Sequence, residues 1–462
     1  MTADIRFGTD GWRAVIGEDF TYADVRRVAD AAGRVFAADN PGGTILVGYD
    51  TRFEAGAFAA AAAEVLASHG LIVRVSDRYL PTPALCWSVA RDEAAVGGVM
   101  LTASHNPAEY LGFKLRMSDG GASPVALTER VEAALLPEPP AARGTFELSD
   151  MVGPYLADLA SLVDADAIRA ANLRVVVDPL YGAGQTYLAD TLRSLGVDVT
   201  EVHGERNPGF AGLHPEPIPP WIDSTCDLVR EGGYDAAFVT DGDADRIGAI
   251  DRTGAFVNPH RIIGLVAQHL VQDKGQIGRI VKTLSTSVLV DRLARTMGLE
   301  VTTTPIGFKW IYEEMVKGGV LIGGEESGGI GLPTHVRERD GLLMSLMLTE
   351  MMAQRRKGLG VLVADMLAIT GPMEYSRVDL RLTPEVKDAF LARAAQIAPA
   401  EIAGIRVHDI VRADGVKFLL DDDAWLLLRP SGTEPLVRVY AEAPSAGVVD
   451  DLLAAGRALV EG

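Results

Sequence analysis

At 462 residues, 48% of them hydrophobic, the chain exceeds one ordinary core and points to a folded protein of three or four domains. Its 43 Lys and Arg against 63 Asp and Glu give a net charge of −20, which argues against generic nucleic-acid binding but leaves room for local cations round a small anion. Cys86 and Cys226 are too few for a disulfide framework or a four-cysteine zinc site, MTADIRFGTDGWR lacks a leader pattern, and the apolar run 55–67 is too short to span a bilayer, so a cytoplasmic protein away from the membrane is expected.

GTDGWR (8–13) joins glycine turns to Arg13, and a helix is predicted from Tyr22, capped by Thr21. TILVGYDTR (44–52) reads as a strand ending in Asp50 and Arg52. The Ala-rich helix, LIVRV (71–75) and VGGVMLTA (96–103) complete a strand–helix alternation. Alternation of this kind predicts a largely parallel sheet whose carboxyl-end loops carry ligands. The last of these strands runs into TASHNP (102–107), where Pro107 biases Asn106 out of the α region. That turn presents the Ser104 hydroxyl to a cleft, with His105 beside it. The Pro- and Ala-rich stretch 135–144 reads as a linker or helix exit.

A second unit begins at LRVVVDPLYGAG (173–184) and reaches VDVTEV (197–202). Its GAG imitates a dinucleotide fingerprint, but the third glycine position holds Tyr187. Within YDAAFVTDGDADR (234–246) a buried strand opens onto Asp241, Asp243 and Asp245, two residues apart, followed by Arg246. Carboxylates so spaced repel one another, and a hard divalent cation relieves the repulsion. An EF-hand would need glycine and glutamate where this chain has Arg246 and Arg252, and magnesium suits carboxylates that share a phosphate.

A third unit runs through GRIVKTLST (278–286) and VTTTPIGFKWIYEEM (301–315) to VLIGGEESGGIG (320–331). Glu325 and Ser327 in that glycine-rich loop suit vicinal sugar hydroxyls, which donate and accept at once. A Met-rich helical stretch (342–355) and a second linker, ITGPMEYS (369–376), follow. In the final unit WLLLRPSGTEPLVRVYAEA (425–443) places Arg429, Ser431, Gly432, Thr433 and Arg438 around one loop, a phosphate cradle without a Walker P-loop.

TASHNP, DGDADR, GEESG and RPSGT, in that order, resemble the α-D-phosphohexomutase family, which includes phosphoglucomutases, phosphomannomutases and phosphoglucosamine mutases. The resemblance covers the whole chain. It implies three similar mixed α/β domains (1–150, 151–257 and 258–368) and a smaller C-terminal α+β domain (369–462), a helix-flanked antiparallel sheet, around one central cleft. It also implies that Ser104 is carried as phosphoserine, with one Mg²⁺ held by its phosphate and by Asp241, Asp243 and Asp245. The serine gives its phosphoryl group to a hexose 1-phosphate, and the resulting 1,6-bisphosphate turns round and returns the other phosphoryl group. Glucose 1,6-bisphosphate would serve as activator.

In that scheme Arg246 and His105 neutralise charge and Lys114 is the general acid/base at the sugar hydroxyl. Arg13, Lys309, Glu325 and Ser327 bind the sugar phosphate, and Arg429, Ser431, Gly432, Thr433 and Arg438 hold the phosphate that is not reacting. Three stretches, GEESG, TPIGFKW with Lys309, and HVRERDGL (335–342), resemble those of phosphoglucomutases and favour glucose phosphate as the small-molecule partner. A phosphomannomutase or dual-specificity mutase is the alternative, with phosphoglucosamine mutase third and an inactive sugar-phosphate-binding protein as the reading from another class. The position after GEESG is Gly329, where relatives with GEQSG or GEMSG commonly carry histidine, and His335 is an open substitute. The last domain is expected to rotate on 369–376.

Overall fold

The alternating apolar segments form four sheets, one in each successive stretch of the chain. The computed structural model describes residues 5–8, 10–431 and 436–462. In the first sheet the strands lie in the order Trp12–Val15, Tyr110–Met117, Ala95–Leu101, Thr44–Tyr49, Ile72–Ser76, Glu147–Ser149. Thr44–Tyr49 and Ala95–Leu101 read as apolar runs because helices cover the sheet on both faces. Helix Tyr22–Asp39 starts where Thr21 accepts from the Asp24 N–H, and Ala55–Ala67 uses its small side chains to pack closely against it.

Beyond Ala95–Leu101 the chain departs from the parallel pattern. Tyr110–Met117 returns antiparallel beside it, pairing Met100 with Lys114, so the sheet is mixed. That return brings Lys114 next to the Ser104 turn. The second sheet runs Phe256–Val257, Ile247–Asp251, Ala236–Thr240, Arg174–Asp178, Asp198–Glu201, and the third Val301–Thr304, Arg279–Thr283, Val320–Gly324, Ile330–Gly331. Both again join a parallel centre to an antiparallel edge.

The last sheet is antiparallel throughout: Glu374–Arg381, Leu436–Ala443, Trp425–Pro430, Val416–Leu420, Ile405–Val411, Glu401–Ile402, with Pro384–Ala394 and Ala446–Glu461 as flanking helices. The linker into it is shorter than 369–376. Helix Leu359–Thr370 continues until Gly371, at φ 77°, caps it; Pro372 follows, and the strand starts at Glu374.

One apolar core runs continuously through the first three units, from Leu85 and Met100 through Tyr155 and Phe238 to Ile262 and Met344. The last unit has its own core, around Phe390, Phe418 and Leu426. Among the described residues no helix is long and apolar enough to cross a membrane.

Candidate active site

Ser104 sits just past the carboxyl end of Ala95–Leu101 at φ 53°, a left-handed conformation that a serine keeps only when its surroundings hold it there. Three bonds do so. Its N–H donates to Thr102 Oγ1 (2.9 Å), its carbonyl accepts from Arg52 Nη2 (2.7 Å), and its Oγ donates to Asp241 Oδ2 (2.9 Å). Arg52 is buried and pairs with Asp50; it also donates to the carbonyls of Asn106, Pro107 and Tyr110. It is therefore the brace of this turn. Arg13 stands beside the turn, donating to Asn106 Oδ1 at 2.5 Å. His105 Nδ1 lies 3.4 Å from Ser104 Oγ, and burial, with Arg246 and Arg13 nearby, holds its imidazole well below the usual histidine range.

The strand Ala236–Thr240 delivers Asp241, Asp243 and Asp245 to the same place. All three are fully buried, with one carboxylate oxygen from each within 4.8 Å of the others. Asp241 Oδ1 accepts the N–H groups of Asp245 and Arg246 at 3.1 Å. Asp243 Oδ2 accepts from Thr82 Oγ1 (2.7 Å) and Lys114 Nζ (3.0 Å), and Asp245 Oδ2 is ion-paired with Arg339 Nη2 (2.8 Å). Asp243 Oδ1 and Asp245 Oδ1 are buried without a hydrogen-bond partner. Acceptors of this kind are costly to bury unless a cation collects them, so the donor set fits a hard divalent metal.

Charge at the triad follows from the same crowding. Burial, then Asp243 and Asp245, push the Asp241 carboxyl well above its usual range, and burial pushes Asp245 up to about 6. Burial acts the same way on Asp243, but Lys114 and Thr82 outweigh it and its pKa is lowered. Lys114 lies between Asp243 and Asp10, with Nζ 2.8 Å from Asp10 Oδ2. Burial opposes its charge; Asp10, Asp243 and Asp245 overcome that and keep it an ammonium. Arg246 Nε is 4.0 Å from both Asp241 and Asp245.

The loop after Val320–Gly324 docks on this centre through the Ile247 N–H, which donates to Gly328 O (3.0 Å). Gly328, at φ 95°, leaves only 2.6 Å between an added Cβ and Ile247 O, so the close approach requires glycine. Glu325 is buried there, its carboxyl pushed up to about 7 by burial against the pull of Arg339, and Ser327 is half-buried in the same turn. His335 does not fill in for a ring at 329. Its Nδ1 lies 3.1 Å from Asp158 and its Nε2 3.2 Å from Asp340. Lys309, in the first turn of Phe308–Lys317, lies over the Trp310 ring at 4.9 Å and has no carboxylate within 4.0 Å among the described residues.

In the last unit Arg429 and Arg438 stand directly opposite each other on paired strands. Like charges so placed repel. Asp414 accepts from Arg429 Nε through both oxygens (3.1 Å each), and Asp379 lies 3.6 Å from Arg438 Nε. Arg377, on the next strand, is 3.0 Å from the same Asp379. Ser431 is buried beside them, its N–H donating to Leu436 O; Gly432 and Thr433 lie outside the described residues. Arg377, Arg429 and Arg438 thus lie close together, with Asp379 and Asp414 among them.

Sequence reasoning gathered the loops but missed the groups that tie them together. Asp10 and Arg339 lay inside GTDGWR and HVRERDGL without being singled out, whereas Thr82 and Arg377 carried no local signal.

Family models cover nearly all of the chain. Those described as phosphoglucomutase/phosphomannomutase alpha/beta/alpha domains I, II and III match residues 4–139, 153–254 and 258–369, and that of the C-terminal domain matches 384–458. A phosphoglucomutase/phosphomannomutase of Thermococcus kodakarensis is 31% identical over 98% of this chain and 98% of its own length. A phosphoglucosamine mutase of Frankia casuarinae is 33% identical over 95% and 94%. The crystal structure of a Thermus thermophilus protein, provisionally named a phosphomannomutase, is 39% identical and superposes over the full length of both chains with a TM-score of 0.90.

Proposed function

The chain belongs to the phosphoglucomutase/phosphomannomutase family, and we propose that within it the protein interconverts glucose 1-phosphate and glucose 6-phosphate through a phosphoserine at Ser104. One observation carries this reading: Ser104 Oγ, held in a strained turn, points at a buried aspartate triad whose Asp243 also holds the Lys114 ammonium. Asp241, Asp243 and Asp245 would hold Mg²⁺, which supplies charge neutralisation for the transferring phosphoryl group.

The side chains divide the work of each half-reaction. When Ser104 accepts, its Oγ–P bond forms as the sugar O–P bond breaks. Lys114, held as an ammonium, protonates the departing sugar oxygen, and the Ser104 proton passes to an oxygen of the phosphoryl group it receives, which leaves Asp241 free to hold the cation. In the reverse half-reaction neutral Lys114 takes the proton of the attacking sugar hydroxyl and the serine oxygen recovers its own. Arg246, with its guanidinium at the triad, and Arg13 stabilise charge on the phosphoryl oxygens. Glu325 and Ser327 bind sugar hydroxyls, Lys309 meets the ligand from the same unit, and Arg429, Ser431, Arg438, Gly432 and Thr433 hold the distal phosphate.

Intact mass with and without glucose 1,6-bisphosphate, followed by peptide mapping, tests the mechanism. A phosphate adduct on Ser104 is expected, and active protein with no adduct under either condition overturns it. Initial rates on glucose, mannose and glucosamine 1-phosphates test the sugar. Equal or faster turnover of mannose 1-phosphate would establish the second reading, a dual-specificity or mannose enzyme, which the Thermococcus and Thermus likenesses favour.

A further inference from the structure

Arg339 is a buried side chain that touches all of the first three units at the site. Its Nη2 is 3.1 Å from Asp10 Oδ2 and 2.8 Å from Asp245 Oδ2, its Nη1 is 3.9 Å from Glu325 Oε2, and its Nε donates to Glu338 Oε1 at 3.1 Å. The Phe308 ring lies beneath the guanidinium at 5.3 Å. To get there the side chain passes over Gly329. A Cβ at 329 would lie 2.4 Å from Arg339 Cδ and 3.1 Å from its Cγ. Any side chain at 329 would therefore displace the arginine.

We propose that Arg339 is a positioning residue that fixes Glu325 relative to the metal-loop Asp245, and that Gly329 leaves the channel through which it reaches both. The inference rests on the reading of Glu325 as the sugar-hydroxyl acceptor. Its hydrogen bonds to Asp10 and Glu338 fix the plane of the guanidinium fork, and that plane sets how its delocalised charge faces Asp245 and Glu325, whereas an ammonium is a single point charge. Loss of the fork leaves Glu325 free to change its distance from the phosphoryl centre, which weakens sugar binding more than it slows phosphoryl transfer from Ser104.

Two variants that keep the charge of the site test this. In Gly329→Ala the arginine is pushed aside, and in Arg339→Lys the fork is lost. Both are expected to raise KM about tenfold, with kcat within about threefold of the parent, on whichever of the glucose, mannose or glucosamine 1-phosphates the parent turns over. A third comparison, Gly329→Ala placed on Arg339→Ala, is expected to raise KM by less than Gly329→Ala does in the parent, because the stem it would strike is gone and only the 3.3 Å approach to Glu325 Oε2 remains. A merely structural ion pair predicts that Arg339→Lys restores parental KM and that Gly329→Ala is silent, and either result overturns the proposal. A parent protein that turns over none of the three sugars counts instead against the mutase reading; calorimetric binding of glucose 1-phosphate then decides the clamp, equal affinity in parent and Gly329→Ala sinking it.

Discussion

Gly242, between the first two aspartates of the triad, offers the most exacting test of the site. A Cβ built there falls 2.3 Å from the Ser104 carbonyl oxygen and 3.4 Å from Pro215 Cγ. Real Cβ atoms stay beyond 3.0 Å, so Gly242→Ala must open the gap by at least about 0.7 Å. The aspartate loop has no room to retreat, because Gly182 packs against it from the other side, where even a Cβ would meet Gly242 Cα at 2.8 Å and Asp241 O at 2.7 Å. The shift falls on the Ser104 turn, whose carbonyl is itself tied to Arg52. Overpacking of this size costs about 1–3 kcal/mol of stability, and a misplacement of about 1 Å in reacting groups costs on the order of 10²-fold in rate. We expect kcat to fall by about 10² while KM stays within about threefold, since the sugar and phosphate loops are untouched. Steady-state kinetics with a thermal melt as control measures both. Activity within twofold of the parent would refute the claim that the serine and metal loops are in rigid register.

Three further outcomes are expected. Chelation abolishes activity and lowers the melting temperature, and Mg²⁺ restores both; at a metal concentration about 100 times Kd, linkage amounts to about 2.7 kcal/mol, and a melt indifferent to Mg²⁺ argues against the triad as its site. Lys417, buried with its ammonium over the Trp425 ring and donating to Leu284 O, has its pKa pushed down to about 7 by burial and then by Lys282. The unfolded chain keeps this proton up to about pH 10.4, so between about pH 7 and 10 the unfolded state binds more protons and this group adds stability as pH rises. Lys417→Met should remove that increment in pH-dependent unfolding, and parallel curves for parent and variant would exclude it. Rotation of the last unit about Gly371–Met373 predicts different solution-scattering curves with and without glucose 1,6-bisphosphate, identical curves counting against it.

What the sequence made legible was whatever a short stretch encodes by itself. Apolar strands running into TASHNP, DGDADR and GEESG are local signals, and each strand was found within a few residues of its reading. Mixed pairing in the first sheet was hidden because strand direction depends on how Tyr110–Met117 docks, not on its own composition. The role of Arg52 was hidden, since nothing in YDTR says that four carbonyls of a turn more than fifty positions away will receive its guanidinium. Thr82 was invisible for the same reason: its Oγ1 meets Asp243 across 161 positions of chain.

The tying groups are also those that assemble the protein. Lys114 of the first unit pairs with Asp243 of the second, Arg116 of the first with Glu338 of the third, and Arg339 of the third with Asp10 and Asp245. Buried pairs of this kind add little net stability, yet breaking one leaves an uncompensated charge, so they restrict how the units can dock. Between the third and last units the ion pairs lie nearer the surface, Arg261 with Glu374 and Arg292 with Asp423, and the buried contacts include Lys417 to Leu284 O and the Val288 N–H to Glu442. A chain of net charge −20 therefore keeps its cations where they set geometry, holding three units in one register round the serine, while the fourth meets the third through a buried apolar cluster of Leu284, Trp425, Leu427 and Tyr440.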